Sequence, residues 1–305
     1  MAKDMQEQEE KMTLGDSMKA LEFPFTSGSE LWNGESPEYI GKTRVTPGKW
    51  CIIRVDGRAF HTYTRKFKEK SEPFSPVIEG AMEKAVMALI DEFLPAVAYQ
   101  QSDEITLAID PKHITFGGKC HKLCSIAASI ATAAFNDHIH CSIGHQAKLA
   151  IFDARAYEVT REQAAATLLW RQLDCVKNSV STLARAYFSQ KQLDGKKTED
   201  KMDMLWNEKG IQWDLMSYRR KYGLIARPST RTINVSENRE ELERMGYNEK
   251  AIENIMKLGG TVTRSCVEID GRLPPFSRIA NLPDVLFDQA EPELREETPF
   301  ERTQP

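Results

Sequence analysis

Residues 50–61 read WCIIRVDGRAFH and residues 97–110 read VAYQQSDEITLAID. Trp50 to Val55 is a short apolar, β-branched run after the turn signal Pro47-Gly48, the pattern of a buried strand. Val97 to Gln101 and Ile105 to Asp110 are two more strand-like runs separated only by Ser102-Asp103-Glu104, which predicts a tight hairpin. Between them, Ser75 to Phe93 carries Val77, Met82, Val86, Leu89, Ile90 and Phe93 at mostly helical spacing, with Ser75 as cap and Pro76 in the first turn. Cys120 to Phe135 reads as an Ala-rich helix, Ala150 to Val159 as a strand and Arg161 to Ser189 as a helix. The order strand, helix, strand, strand, helix, strand is the split βαβ pattern of a ferredoxin-like sheet. The expected class is therefore α+β, a βαββαβ domain with a mostly helical C-terminal portion. A right-handed crossover makes the first two strands parallel, with the third inserted antiparallel between them.

This topology brings the end of the first strand beside the hairpin turn, so Asp56, Asp103 and Glu104 converge at one edge. Converging carboxylates are costly unless a cation or proton is shared, and such an edge suits Mg²⁺, which prefers one or two carboxylates plus phosphates and water. Two such ions can clamp the attacking and leaving oxygens of phosphoryl transfer. Asp-Gly and Ser-Asp are also ordinary turn formers, so either aspartate alone says little; placed together by the topology, they favour the metal edge. Gly57 lets a phosphate approach the backbone. After it, Arg58, His61, Arg65, Lys66, Lys68 and Lys70 stand against the single acid Glu69. Such a cluster can be a solvated loop, but directly after a metal-ligand candidate it points to triphosphate binding.

The chain has 305 residues, 41% of them apolar and 28% charged. That is globular composition, and no run approaches the ~18 uninterrupted apolar residues of a membrane span. The polar N-terminus MAKDMQEQEEK resembles neither a secretory signal nor a transit peptide, so cytoplasmic residence is expected. Six scattered cysteines make no disulfide scaffold. The net charge of −4 is concentrated at the end: residues 282–305 hold seven acids against Arg295 and Arg302. Ser217 to Arg231 holds five cations and no acid. Charge distribution therefore permits a nucleic-acid partner that the net value disfavours.

Ile53-Arg54-Val55-Asp56-Gly57-Arg58-Ala59-Phe60-His61, followed by Gln101-Ser102-Asp103-Glu104, resembles the paired signature of the tRNA-His guanylyltransferase family, enzymes that extend RNA in the 3′ to 5′ direction. Trp170-Arg171-Gln172 with Asp174-Cys175 resembles that family's WRQxDC segment, and Asp200-Lys201 leading into Met204-Leu205-Trp206 resembles its DKNEILF stretch. The resemblance runs from about Leu14 to about Arg227. It implies a palm-like catalytic domain as in polymerases and nucleotide cyclases, and two Mg²⁺ ions held by Asp56, the Gly57 carbonyl and Asp103, with Glu104 assisting. It implies that Arg54, Gly57, Arg58, Ala59, Phe60, His61, Ser102 and one of Lys68 or Lys70, by preference Lys70, hold nucleotide, with Asn178 and Lys201 for a second nucleotide or the RNA 5′ end. The implied substrates are ATP, GTP or other NTPs and the 5′ end of tRNA, and the implied assembly is a homotetramer. The implied reaction activates a 5′-monophosphorylated RNA with ATP; the 3′-hydroxyl of an incoming NTP then displaces AMP.

Where tRNA-His-specific members carry HINNLYN, this chain reads Val176-Lys177-Asn178-Ser179-Val180-Ser181-Thr182, keeping only Asn178. That departure resembles the like-protein branch of bacteria, archaea and phages, associated with templated repair of 5′-truncated tRNAs. A palm-fold nucleotide cyclase would share the metal edge but is disfavoured by the WRQxDC stretch. A non-catalytic RNA-binding relative would not need the three carboxylates. The expected organisation is an irregular leader over 1–45, the palm-like domain over 46–160, a helical, tRNA-contacting region over 161–281 and an acidic, disordered tail over 282–305. Asp270-Gly271-Arg272 repeats the DGR tripeptide but precedes Leu273-Pro274-Pro275 and reads as a turn. The His and Cys residues between His113 and His145 lack the paired spacing of structural zinc sites, and Cys175 reads as a packed thiol.

Overall fold

The computed structural model describes residues 44–67, 73–144, 148–271 and 273–295. The expected leader lies almost wholly outside these residues. Strand β1 (Trp50–Gly57) leads through the short helix α1 (Phe60–Thr64) to helix α2 (Pro76–Phe93). Strands β2 (Val97–Gln101) and β3 (Glu104–Ile109) form the hairpin, followed by helix α3 (Cys120–Ile143), strand β4 (Phe152–Val159) and the long helix α4 (Arg161–Tyr187). Then come α5 (Gln190–Leu193), α6 (Thr198–Lys209), α7 (Tyr218–Tyr222), β5 (Leu224–Asn234), α8 (Arg239–Arg244), α9 (Glu249–Lys257), β6 (Thr261–Asp270) and α10 (Leu282–Phe287).

The six strands make one antiparallel-paired sheet in the order β4-β1-β3-β2-β5-β6. β3 lies antiparallel between β1 and β2, so those two run parallel, as the split βαβ reading requires. The hairpin turn is shorter than its spacing suggests: Glu104 pairs with both Gln101 and Asp56, leaving only Ser102 and Asp103 outside the ladder. α2 and α3 cover one face, where Cys51, Ile53, Val55, Ile105 and Leu107 meet Met82, Leu89, Phe93 and Phe135. Buried Ala127 and Ala131 on α3 let that helix approach closely. α4 and α10 cover the other face, against Trp50, Ile52, Tyr99 and Tyr157. α4 starts sharply because Thr160 and Gln163 form a reciprocal capping box. Ser75 occupies the N-cap position of α2 but makes no capping hydrogen bond. Among the described residues no helix is long and apolar enough to cross a membrane.

Two expectations are corrected. The region 161–281 does hold α4 to α9, but β5 and β6 lie within it and widen the sheet, because β5 pairs with β2 through Ala98, Tyr99 and Gln100. Beyond that pairing, β5 and β6 run on as a ribbon with its own small core of Ile233, Val235, Leu242 and Ile252. The acidic segment from Leu282 is not a disordered tail throughout. Leu282, Val285 and Leu286 are buried, Arg161 pairs with Asp284 and Asp288, and Ile279 bridges to Leu294. Its apolar periodicity outweighs its acidity because Arg161 and the α4 face supply partners.

Candidate active site

The end of β1 and the hairpin turn meet: the Gly57 amide donates to the Asp103 carbonyl at 3.1 Å. Asp56 stands in register with Glu104 on one side and Asp153 of β4 on the other. Since directly opposed residues share a face, Arg54, Asp56, Glu104, Asp153 and Arg155 all belong to the face that carries α4. The Asp56 carboxyl is pushed above its ordinary range, first by burial and then by Asp153, while Arg54 and Arg155 oppose the rise. Asp153 escaped the sequence reading because only the β4 register brings it beside Asp56. The available signal was its place in an otherwise strand-like run.

Glu104 points into the protein. Its carboxylate accepts from Arg171 Nε at 2.6 Å and lies 4.0 Å from Arg54 Nε, with all three side chains nearly buried. Burial, the largest influence, lifts its pKa although Arg171 and Arg54 pull it down. Arg171 also donates to Asp174 at 2.9 Å, and Asn178 donates to the same oxygen at 3.1 Å. Trp170 stacks against Arg171 at 4.5 Å and Arg54 at 5.9 Å. Gln172 accepts from the Phe276 amide at 2.7 Å. Cys175 is buried, its thiol pushed up to about 12 by burial. The WRQxDC segment thus ties α4 to the carboxylate edge. Arg54 is part of that tie, held against Glu104 and Trp170.

Two residues without glycine's freedom sit in left-handed backbone here, Ala59 at φ 54° and Ser102 at φ 49°, the kind of local strain that concentrates at functional sites. Gly57 is required by packing: a Cβ there would lie 2.2 to 2.7 Å from the Phe60 ring. Phe60 is locked by Phe152 and Phe135 at 5.0 and 5.3 Å. Gly57→Ala should therefore cost about 1–3 kcal/mol of stability, as overpacking does, read in a denaturant titration. An unchanged midpoint would contradict this packing.

Beside the edge is a cavity of about 330 Å³, at the small end of ligand pockets. Of the residues singled out from sequence, Phe60, His61, Ser102, Asp103 and Asn178 line it. Asp56, Gly57, Arg58 and Ala59 lie at or just past the end of β1 and do not line it; Arg58 and Ala59 are exposed. Glu104 and Arg54 do not line it and sit in the nearly buried group with Arg171. Lys201 of α6 donates to Ser181 at 3.1 Å, away from the cavity wall. Lys68 and Lys70 lie outside the described residues. Missed by sequence reasoning was Glu79 of α2; Arg219 and Arg220 of α7, read there only as part of the cationic run from Ser217 to Arg231, line the cavity with it.

The donors at the edge are hard oxygens, the carboxylates of Asp56 and Asp103 and the Gly57 carbonyl. Among the described residues no three His, Cys, Asp or Glu side chains are close enough to enclose a metal ion. An ion here would therefore take the rest of its shell from phosphates and water, which fits the habit of Mg²⁺.

Comparison with known proteins bears on this geometry. Residues 36–160 match the family model described as tRNAHis guanylyltransferase. The chain is 29% identical over 210 residues to the uncharacterized protein R259 of Acanthamoeba polyphaga mimivirus, covering 60% of this chain and 71% of that one. It is 28% identical over 191 residues to the tRNA(His) guanylyltransferase of Schizosaccharomyces pombe, covering 58% and 72%. Among solved structures, a bacterial tRNA(His) guanylyltransferase-like protein in complex with ATP superposes with a TM-score of 0.62 at 24% identity, over 90% of this chain and 99% of that one. That likeness shows the fold.

Proposed function

We propose that this chain, whose residues 36–160 match the tRNAHis guanylyltransferase family model, is a member of that family and a Mg²⁺-dependent 3′–5′ nucleotidyltransferase that adds nucleotides to the 5′ end of tRNA. The observation that carries this is the contact of the Gly57 amide with the Asp103 carbonyl, which joins two carboxylate-bearing turns beside a cavity lined by Ser102 and His61. Asp56, Asp103 and the Gly57 carbonyl would hold two Mg²⁺ ions, whose chemistry is to acidify the attacking hydroxyl and neutralise the transferring phosphoryl. Ser102 and His61, which line the cavity, are groups that can hydrogen-bond nucleotide phosphates, and Phe60 lines it beside them. Glu104 orients the edge through Arg171 and Arg54.

The single Asn178 remaining from the tRNA-His-specific segment favours repair of 5′-truncated tRNAs over strict guanylylation. Cytoplasmic residence and a homotetramer belong to the same proposal; an apparent mass near 34.7 kDa in solution would remove the tetramer. The deciding assay supplies full-length and 5′-truncated tRNA-His transcripts with Mg²⁺, ATP and labelled GTP. Label should enter the 5′ end, preferentially on truncated RNA. No label on either substrate would overturn the proposal.

A pH prediction follows from Asp56. It must lose its proton to hold a metal, and in the metal-free protein burial together with Asp153 raises its pKa, so Mg²⁺ affinity should fall on acidification sooner than for an ordinary aspartate. Asp153→Asn removes one of the raising charges and should move the acidic limb to lower pH. A limb that stays in place or moves up would count against the coupling.

A further inference from the structure

Among the described residues three arginines line the cavity, Arg185, Arg219 and Arg220. Two of them are committed to holding α7 on α2. Arg219 donates to Glu83 Oε2 and to the Glu79 carbonyl, both at 2.6 Å. Arg220 makes a bidentate pair with Glu79 at 2.9 and 3.1 Å and stacks on Phe74 at 5.4 Å. Arg185 differs: it is exposed, and among the described residues it makes no hydrogen bond, ion pair or ring contact. A cation at the wall of a cavity, with no internal partner, is available to a ligand anion.

Its position on α4 gives the ligand a direction. Asn178, Thr182 and Arg185 all line the cavity, and their spacing of four and then three residues puts them on one face of the helix. From Asn178 to Arg185 the rise is about 10 Å. The row starts one turn beyond Asp174, which is tied through Arg171 to Glu104 at the carboxylate edge. It therefore leads from the reacting centre outward. An amide, a hydroxyl and a guanidinium in sequence are groups that proteins use to hold a sugar-phosphate backbone without reading bases. Among the described residues the acids lining this cavity are Glu79, already paired with Arg220, and Asp103, and neither pairs with Arg185.

We propose that Asn178, Thr182 and Arg185 form a phosphate rail along α4 that grips the RNA backbone just inside its 5′ end, with Arg185 as the anchor. This rests on the nucleotidyltransferase reading and adds the path of the RNA strand. The planar guanidinium can take one phosphodiester through two parallel hydrogen bonds, which a lysine cannot copy. The shared chemistry is a phosphate, and its source is either the RNA backbone or the triphosphate of an activating ATP. The length of the row, running away from the carboxylate edge, favours RNA.

The test compares wild type, Arg185→Ala and Arg185→Lys in the full-length protein. It measures binding of a 5′-monophosphorylated tRNA transcript over a range of KCl, and separately ATP binding and the KM for ATP and GTP. Because Arg185 is exposed and has no partner among the described residues, unfolding midpoints should not change. Arg185→Ala should weaken RNA binding about tenfold, the loss of one charge-assisted hydrogen-bonded contact, and flatten the slope of log K against log salt by about 0.7. Arg185→Lys should restore the slope but only part of the affinity, and ATP binding should be unchanged. Unaltered RNA affinity and slope in Arg185→Ala would overturn the rail. So would a loss confined to ATP, which would assign Arg185 to the activating nucleotide. A wild-type protein that adds nothing to the 5′ end would instead remove the nucleotidyltransferase reading, while the salt slopes still decide whether Arg185 meets RNA phosphate.

Discussion

Asp103→Ala is expected to lower 5′ nucleotide addition on the order of 10³-fold or more while the protein stays folded. The size follows from the metal-holding role proposed for Asp103: it would remove a carboxylate where charge develops on the transferring phosphoryl, and such preorganised groups commonly supply the largest share of catalysis. The fold should survive because Asp103 sits in the two-residue turn, half-exposed, and its side chain accepts from the neighbouring Ser102 hydroxyl at 2.9 Å. The contact that joins the turn to β1 is made by its backbone carbonyl, which alanine keeps. Labelled GTP incorporation and a melting curve on the same preparation check both halves. Turnover near wild type would remove Asp103 from the metal edge; a collapsed melting curve would make it a structural residue.

The second large effect concerns stability. Arg171→Ala should destabilise the protein by about 3–5 kcal/mol, the cost of leaving a buried charge without its partner. The side chains of Arg171 and Glu104 are only 9% and 10% exposed, and Arg54 at 4.0 Å is too distant to replace a 2.6 Å charge-assisted bond. Against a typical total of about 5–15 kcal/mol, that loss is severe. A double replacement, Glu104→Gln with Arg171→Met, removes both charges and should recover most of the loss, since buried pairs exchanged for uncharged groups of similar volume are often near neutral. Urea titrations of the two variants separate the cases. An Arg171→Ala protein within about 1 kcal/mol of wild type would mean that water reaches Glu104 and the pair is not truly buried.

These two residues mark how far the sequence could be read. The place of Asp103 was legible because it needs only a short turn between two strand-like runs, and the split βαβ order then fixes which strand end it faces. Arg171 was legible as part of a segment but not as a partner of Glu104, since the two are 67 positions apart and no local pattern links them. Glu104 was read as facing the reacting centre from its place in a turn. The ladder takes it into β3 and turns its side chain toward α4, because the turn is one residue shorter than the polar run. Asp153 was invisible for a related reason: strand periodicity gives a face only once register is known.

Local chemistry in the chain determined the order of strands and helices, the meeting of Asp56 with the Ser102-Asp103 turn, and the family signature carried by both. Apolar periodicity and a right-handed crossover suffice for that much. Tertiary structure alone decided that β5 and β6 join the sheet, that α10 packs instead of trailing as an acidic tail, and that Arg219 and Arg220 are spent on Glu83 and Glu79 while Arg185 is left to a ligand. Each of these depends on which distant groups become neighbours. A side chain's charge is written in the sequence, but whether that charge is neutralised, buried or offered to a substrate is set by what the fold places beside it.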